Sequence, residues 1–120
     1  MTFTIHLETL NRYEELLAEL QGALYKDTMV QHEKKLQNFF CQDYWHIVSQ
    51  LELSKKRSQW QSAITEIHRH MRLLAVEASF AQAAHHDAIH QQRLKRIEQR
   101  LQQLRNFNQV LIHLLLQEQV

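Results

Sequence analysis

"AAHHDAIHQQR", residues 83–93, decides the fold, because it is either a metal-binding run or the turn between two helices. Three of the nine histidines, His85, His86 and His90, sit here beside Asp87. Before the stretch, Trp60, Ile64, Ile67, Met71, Leu74, Ala78 and Ala81 recur at alternating steps of four and three. After it, Leu94, Ile97, Leu101, Leu104, Asn108, Leu111 and Leu115 do the same. That spacing is an unbroken heptad seam, which puts all members of a set on one side of a helix. The first pattern stops near Ala84 and the second starts near Ile89, so the histidines fall in the break. Asp87 stands where an N-cap is needed, its carboxylate facing free backbone N–H groups and the positive end of the helix dipole. His85 and His86 fall near the C-terminal end of the preceding helix, where partly protonated imidazoles are favoured. His86 and His90 are four apart, as in helical zinc pairs, but the turn separates them, and no HExxH pattern or cysteine pair supports a site. The stretch reads as a turn, and no metal is expected.

Working outward, each of these two helices could run roughly 28 residues, about 42 Å, and the short break makes the pair an antiparallel hairpin. Upstream, Leu10, Tyr13, Leu17, Leu20 and Leu24 mark a helix starting after Thr4, which Gly22 weakens or ends. Asp27 or Thr28 is placed to cap the next helix, with Thr28 and Gln31 at capping-box spacing. Its seam reads Leu36, Phe40, Tyr44, Ile47 and Leu51. "LSKKRSQ" at 53–59 reads as a connection, with Ser58 and Gln61 again at capping-box spacing. There is no proline and one glycine, so turns are few and helices long. The expected fold is all-α: residues 1–120 form one domain, an antiparallel four-helix bundle with a long C-terminal helical hairpin.

Charge and cysteine usage narrow the function. The formal net charge is +1, but residues 1–54 carry −4 and residues 55–105 carry +6. An acidic half packed against a basic half accounts for this better than a polyanion-binding surface, so nucleic acid is not expected as a partner. The single cysteine, Cys41, excludes an internal disulfide and suits a reducing compartment. "MTFTIHLETL" at the N-terminus lacks the basic segment and apolar core of a signal peptide. The apolar stretch "VLIHLLL" at 110–116 is far short of the ~20 residues of a membrane span. A soluble cytoplasmic protein is expected.

Some residues exceed what a hairpin needs. Leu73, Val76, Phe80 and Ala83 fall nearly opposite the Trp60–Ala81 seam at about 100° per residue. Cys41, Trp45 and Val48 lie away from the Phe40–Ile47 side in the same way. Either each helix is flanked by two others within the monomer, or these stripes meet a second copy or another protein. Arg93, Arg96 and Arg100 line one flank of the last helix, which turns apolar at Phe107 and Leu114. They suit intramolecular pairing or an acidic protein partner. Trp45, Leu73, Val76, Phe80, Arg93, Arg96 and Arg100 are the candidate interaction residues, and a homodimer is one expected form.

Catalysis finds no support. Cys41, Asp43 and His46 scatter around a helix and cannot form a nucleophile–base pair, and Cys41 reads as a small packing residue. Glu66 and His70 in "EIHRH", 66–70, are one turn apart, as in an exposed side-chain pair. No phosphate loop or dinucleotide fingerprint is present. Neither an enzyme nor a cofactor is expected.

Residues 70–111, "HMRLLAVEASFAQAAHHDAIHQQRLKRIEQRLQQLRNFNQVL", resemble the cyanobacterial heterocyst-frequency control proteins, the PatD family. The elements carrying the resemblance are Arg72, Leu73 and Leu74, then Phe80, Gln82, Ala83 and Ala84, then Arg93 and Leu101. His85 and His86 replace the arginine- and proline-containing turn of that family. The resemblance implies a small helical regulator of cell differentiation that acts through protein contacts, with the tubulin-like division protein FtsZ in keeping as a partner. The leading expectation is therefore a non-enzymatic regulatory or adaptor bundle. A helical nucleic-acid-binding regulator using the basic 55–105 region comes second, and a histidine-dependent metal protein third.

Overall fold

Alternating steps of three and four turn into helices wherever the sequence sustains them. The computed structural model describes residues 3–119. Helix α1 is Thr4–Ala23, and α2 covers residues 29–49. Helix α3 is Arg57–Ala83 and α4 is Asp87–Gln119. No strand occurs among the described residues. The chain is all-α, and short connections join neighbours that run antiparallel. The helices form a square: α1 beside α2 and α4, and α3 beside α2 and α4. The molecule measures 52 × 21 × 19 Å, its long axis that of the hairpin.

The seams form the core. Every seam residue named above in α1, α3 and α4 is buried. Trp60, fully buried near the start of α3, donates its indole N–H to the Val48 carbonyl at 3.2 Å. That bond takes up one of the carbonyls left free where α2 ends.

Helix α2 departs from the expected seam. It runs as an α-helix over Met29–Phe39, a π-turn over Phe40–Tyr44, and an α-helix over Trp45–Ser49. Its buried side chains Leu36, Phe40, Tyr44 and Val48 step by four. In a regular α-helix such steps drift by about 40° each, and the wider π-turn cancels that drift by absorbing one extra residue. Val48 is therefore in the core, whereas Ile47 and Leu51 are only partly covered. Cys41, expected as a small packing residue, is exposed.

Helix ends also differ from expectation. Thr28 occupies the N-cap position of α2 and Lys56 that of α3, and neither makes a side-chain cap bond. Ser58 is already inside α3. His86 precedes α4 and accepts the His90 N–H through its carbonyl at 2.9 Å. Asp87 is thus the first helical residue, placed to complement the dipole and not to cap.

Candidate interaction surface

The turn end of the hairpin is held by a histidine. The His90 ring, at Nδ1, lies 2.9 Å from the Ala81 carbonyl, which also accepts the Ala84 N–H at 3.3 Å where α3 closes. His85 and His86 are exposed in the connection. Among the described residues no group of three or more His, Cys, Asp or Glu side chains is placed to hold a metal ion. Cys41, Asp43 and His46 are all exposed on α2.

On its inner face the hairpin meets α1 and α2 through one buried polar residue. Asn108 is fully buried in the apolar seam. Its amide donates to the Leu10 carbonyl at 3.0 Å and to Glu14 at 3.1 Å, and its oxygen accepts the Tyr44 hydroxyl at 2.8 Å. Arg105 extends the network to Glu14 at 3.4 Å and to Gln21 at 2.9 Å. Glu14–Arg105 is an ion pair that joins the acidic and basic halves. Burial pushes the Tyr44 and Tyr13 hydroxyls well above their ordinary range.

The outer face, between α3 and α4 and away from the other helices, is charged in its middle. Arg100 donates two bonds of 2.9 Å to Glu77 and a third, from Nη1, to His70 Nδ1 at 2.6 Å. The Glu77 bonds hold the Arg100 guanidinium above its ordinary value. Because Arg100 remains a donor, His70 Nδ1 is the bare nitrogen. His70 Nε2 lies 3.5 Å from Glu66, which also accepts from Arg69 at 2.9 Å. Burial lowers the His70 value, and the neighbouring Arg100 and Arg69 lower it further. His70 is buried, so the 66–70 pair is not the exposed pair its spacing implied.

Toward the turn the same face becomes apolar and uncovered. Val76 is 49% exposed, Phe80 52% and Ile89 47%, with Leu73 half-buried. The Arg93 guanidinium carbon stands 5.2 Å from the centre of the Phe80 ring, a cation–π contact that ties α4 to α3. Arg96 and Arg72 are exposed. A hollow of about 310 Å³ lies among Arg69, Arg72, Leu73 and Val76, and another of about 280 Å³ among Glu77, Arg96, Gln99, Arg100 and Gln103.

No relative decides what this surface is. No family model matches the chain, and no curated protein or solved structure is significantly similar to it. The geometry alone sorts the candidate residues. Phe80 and Arg93 meet toward the turn, Leu73 and Val76 line one hollow with Arg69 and Arg72, and Arg96 lines the other with Glu77 and Arg100. Arg100 is committed to Glu77 and His70. Trp45 lies apart on α2, half-buried, its ring 4.6 Å from His68 and 6.0 Å from Phe40. The flank expected to turn apolar at Phe107 and Leu114 does so with Phe107 half-buried and Leu114 buried. There a hollow of about 350 Å³ opens, walled mainly by Ser58, Gln59, Ser62, Phe107 and Val110. Sequence reasoning missed Asn108 and His70 as network centres. For Asn108 the available signal was a polar residue inside an apolar seam; His70, beside the seam residue Met71, gave no such signal.

No helix among the described residues is long and apolar enough to cross a membrane.

Proposed function

We propose that this chain is a non-enzymatic regulatory or adaptor protein that works by protein contact through the turn end of its hairpin. The observation carrying this reading is the exposure of Val76 and Phe80 on a helix whose opposite side is fully packed. A stripe of that kind, rimmed by arginines, is the chemistry of a contact surface: an aromatic anchor with guanidiniums beside it. The resemblance of residues 70–111 to heterocyst-frequency control proteins supports the regulatory form of the reading, with FtsZ as the partner that resemblance implies. A homodimer through the same face is the other arrangement a contact surface allows.

The nucleic-acid reading is weaker. Arg57, Arg69, Arg100 and Arg105 of the basic region already pair with carboxylates. Cations so paired have fewer counterion-releasing contacts to offer a phosphate backbone. Affinity capture from extract of the native cell, with and without nuclease, tests the proposal against this alternative. A protein captured by the wild type irrespective of nuclease, and lost with Phe80→Ser, is the expected result. Nuclease-sensitive capture, or capture indifferent to Phe80→Ser, would reject it.

A further inference from the structure

We infer that the turn end of the hairpin takes an acidic amphipathic segment of another protein. Apolar side chains of that segment meet Leu73, Val76 and Phe80, and its carboxylates meet Arg72, Arg93 and Arg96. This rests on the adaptor reading and adds the chemical class of the partner.

The pairing of charges carries the inference. The carboxylates on this face are spent: Glu66 on Arg69, and Glu77 on Arg100. Arg72 and Arg96, exposed among the described residues, have no ion pair, and Arg93 has only the Phe80 ring. Three guanidiniums without an ion pair therefore flank the stripe: Arg72 beside Leu73 and Val76, Arg93 on Phe80, and Arg96 one turn further along α4. On α3, Arg72, Leu73, Val76 and Phe80 are joined by steps of three or four, and on α4 Arg93 and Arg96 are three apart, so each set shares one helix face. The Phe80–Arg93 contact fixes the two sets side by side. It also holds the Arg93 guanidinium in place before any partner arrives, which lowers the ordering cost of binding. A guanidinium matches a carboxylate with two parallel N–H···O bonds, so carboxylates are the preferred anions of such a rim.

Other occupants fit less well. A second copy on this face, related by a twofold axis, would bring the same arginines against themselves, while Glu66 and Glu77 are already paired. A nucleic acid would satisfy the guanidiniums and leave Leu73 and Val76 without apolar partners. A lipid surface would be reached only by these few side chains, because the opposite side of α3 is locked into the core. From Leu73 to Phe80 the apolar stripe rises about 10 Å, two helical turns. It suits a short segment with anchors at i, i+3 or i+4, and i+7.

Fluorescence anisotropy on the full chain tests this with three labelled 18-residue peptides. They share Leu and Phe anchors at that spacing and differ in having Glu, Gln or Lys at the polar positions. The acidic peptide should bind at least about tenfold more tightly than the neutral one, and the basic one least. Arg93→Gln combined with Arg96→Gln should reduce the acidic peptide to the neutral level. Phe80→Ser should weaken both by about tenfold or more, with circular dichroism confirming that the helices persist. Equal binding of acidic and neutral peptides, still lost with Phe80→Ser, would overturn the acidic class while leaving the adaptor reading intact. No binding by any peptide, or binding indifferent to Phe80→Ser, would overturn the inference. The adaptor reading is judged separately, by the extract capture. Vesicles containing anionic phosphatidylglycerol and a 20-nucleotide single strand serve as further probes. Tighter Phe80-dependent binding of either would replace the peptide with a lipid surface or a nucleic acid.

Discussion

The inner and outer faces of the hairpin both place polar groups among apolar ones, and they treat them in opposite ways. Inside, one uncharged amide, Asn108, has every donor and acceptor matched by α1 and α2. Outside, four charges, Glu66, Arg69, Arg100 and Glu77, together with the His70 ring, satisfy one another without reaching another helix. A buried amide left unpaired costs about 1–3 kcal/mol, so Asn108 favours one register of the four helices over its neighbours. The outer charges fix nothing beyond the hairpin. Beside them and on toward the turn, Val76 and Phe80 face solvent. The inner face is therefore finished by the fold, and the outer face keeps exposed apolar side chains.

Substitutions should separate the two faces by the size of their effect. Leu101 is fully buried on the inner seam. Leu101→Ala should lower the unfolding free energy by about 2–5 kcal/mol in urea titration. A loss under about 1 kcal/mol would mean the seam is loosely packed.

Next in size is the polar network. Asn108→Ala should cost about 1–3 kcal/mol, since it strands the Tyr44 hydroxyl and one Glu14 oxygen. Two neighbouring tyrosines sharpen the point, the rings of Tyr13 and Tyr44 lying 4.2 Å apart and tilted by 40°. Tyr44→Phe should be destabilising, whereas Tyr13→Phe should be neutral or stabilising, because the buried Tyr13 hydroxyl has no partner. Equal losses for both would remove the network as the cause.

The outer face should respond to pH. The His70 value is depressed in the folded chain below the ordinary 6.5, by burial first and then by Arg100 and Arg69. The unfolded chain therefore takes up the proton first, and the stability from neutral His70 is complete above pH 6.5 and lost as pH falls through the folded value. His6 has the same sign through burial. The melting temperature should drop between pH 7 and pH 5.5, and His70→Gln should flatten that slope. An unchanged slope in His70→Gln would assign the effect to His6.

The smallest effect is expected at the turn end. Phe80→Ser and Val76→Ser should shift stability by less than about 0.5 kcal/mol, as exposed positions do. A large loss in a thermal melt would show the stripe to be structural.

The hairpin was legible in the sequence because sustained three–four alternation has one physical reading, and its seam residues are buried as the spacing implied. The second half of α2 was not. Nothing local in "FCQDY" announces a π-turn, since its benefit arises only when Tyr44 meets Asn108, 64 residues away. Helix caps were misread for a related reason: capping-box spacing at Thr28 and Ser58 states what a side chain could do, and no side-chain cap forms at either start. The turn-end surface was half legible. Helical arithmetic placed Leu73, Val76 and Phe80 together, but the commitment of Arg100 to Glu77 and His70 depends on how α3 and α4 pair.

The Asn108 bond to Leu10 spans 98 residues of chain, while the hairpin closes around a connection of three residues, 84–86. The consequence is kinetic. Short loops close early at little entropic cost, and long ones close late. The hairpin should form first as a template, and α1 should dock last, adding the buried amide network as the final check on register. The same order in reverse makes α1 the first helix to leave. Native-state hydrogen exchange should show weaker protection across Leu10–Leu20 than across Ile97–Leu111, and equal protection would mean that the four helices fold as one unit.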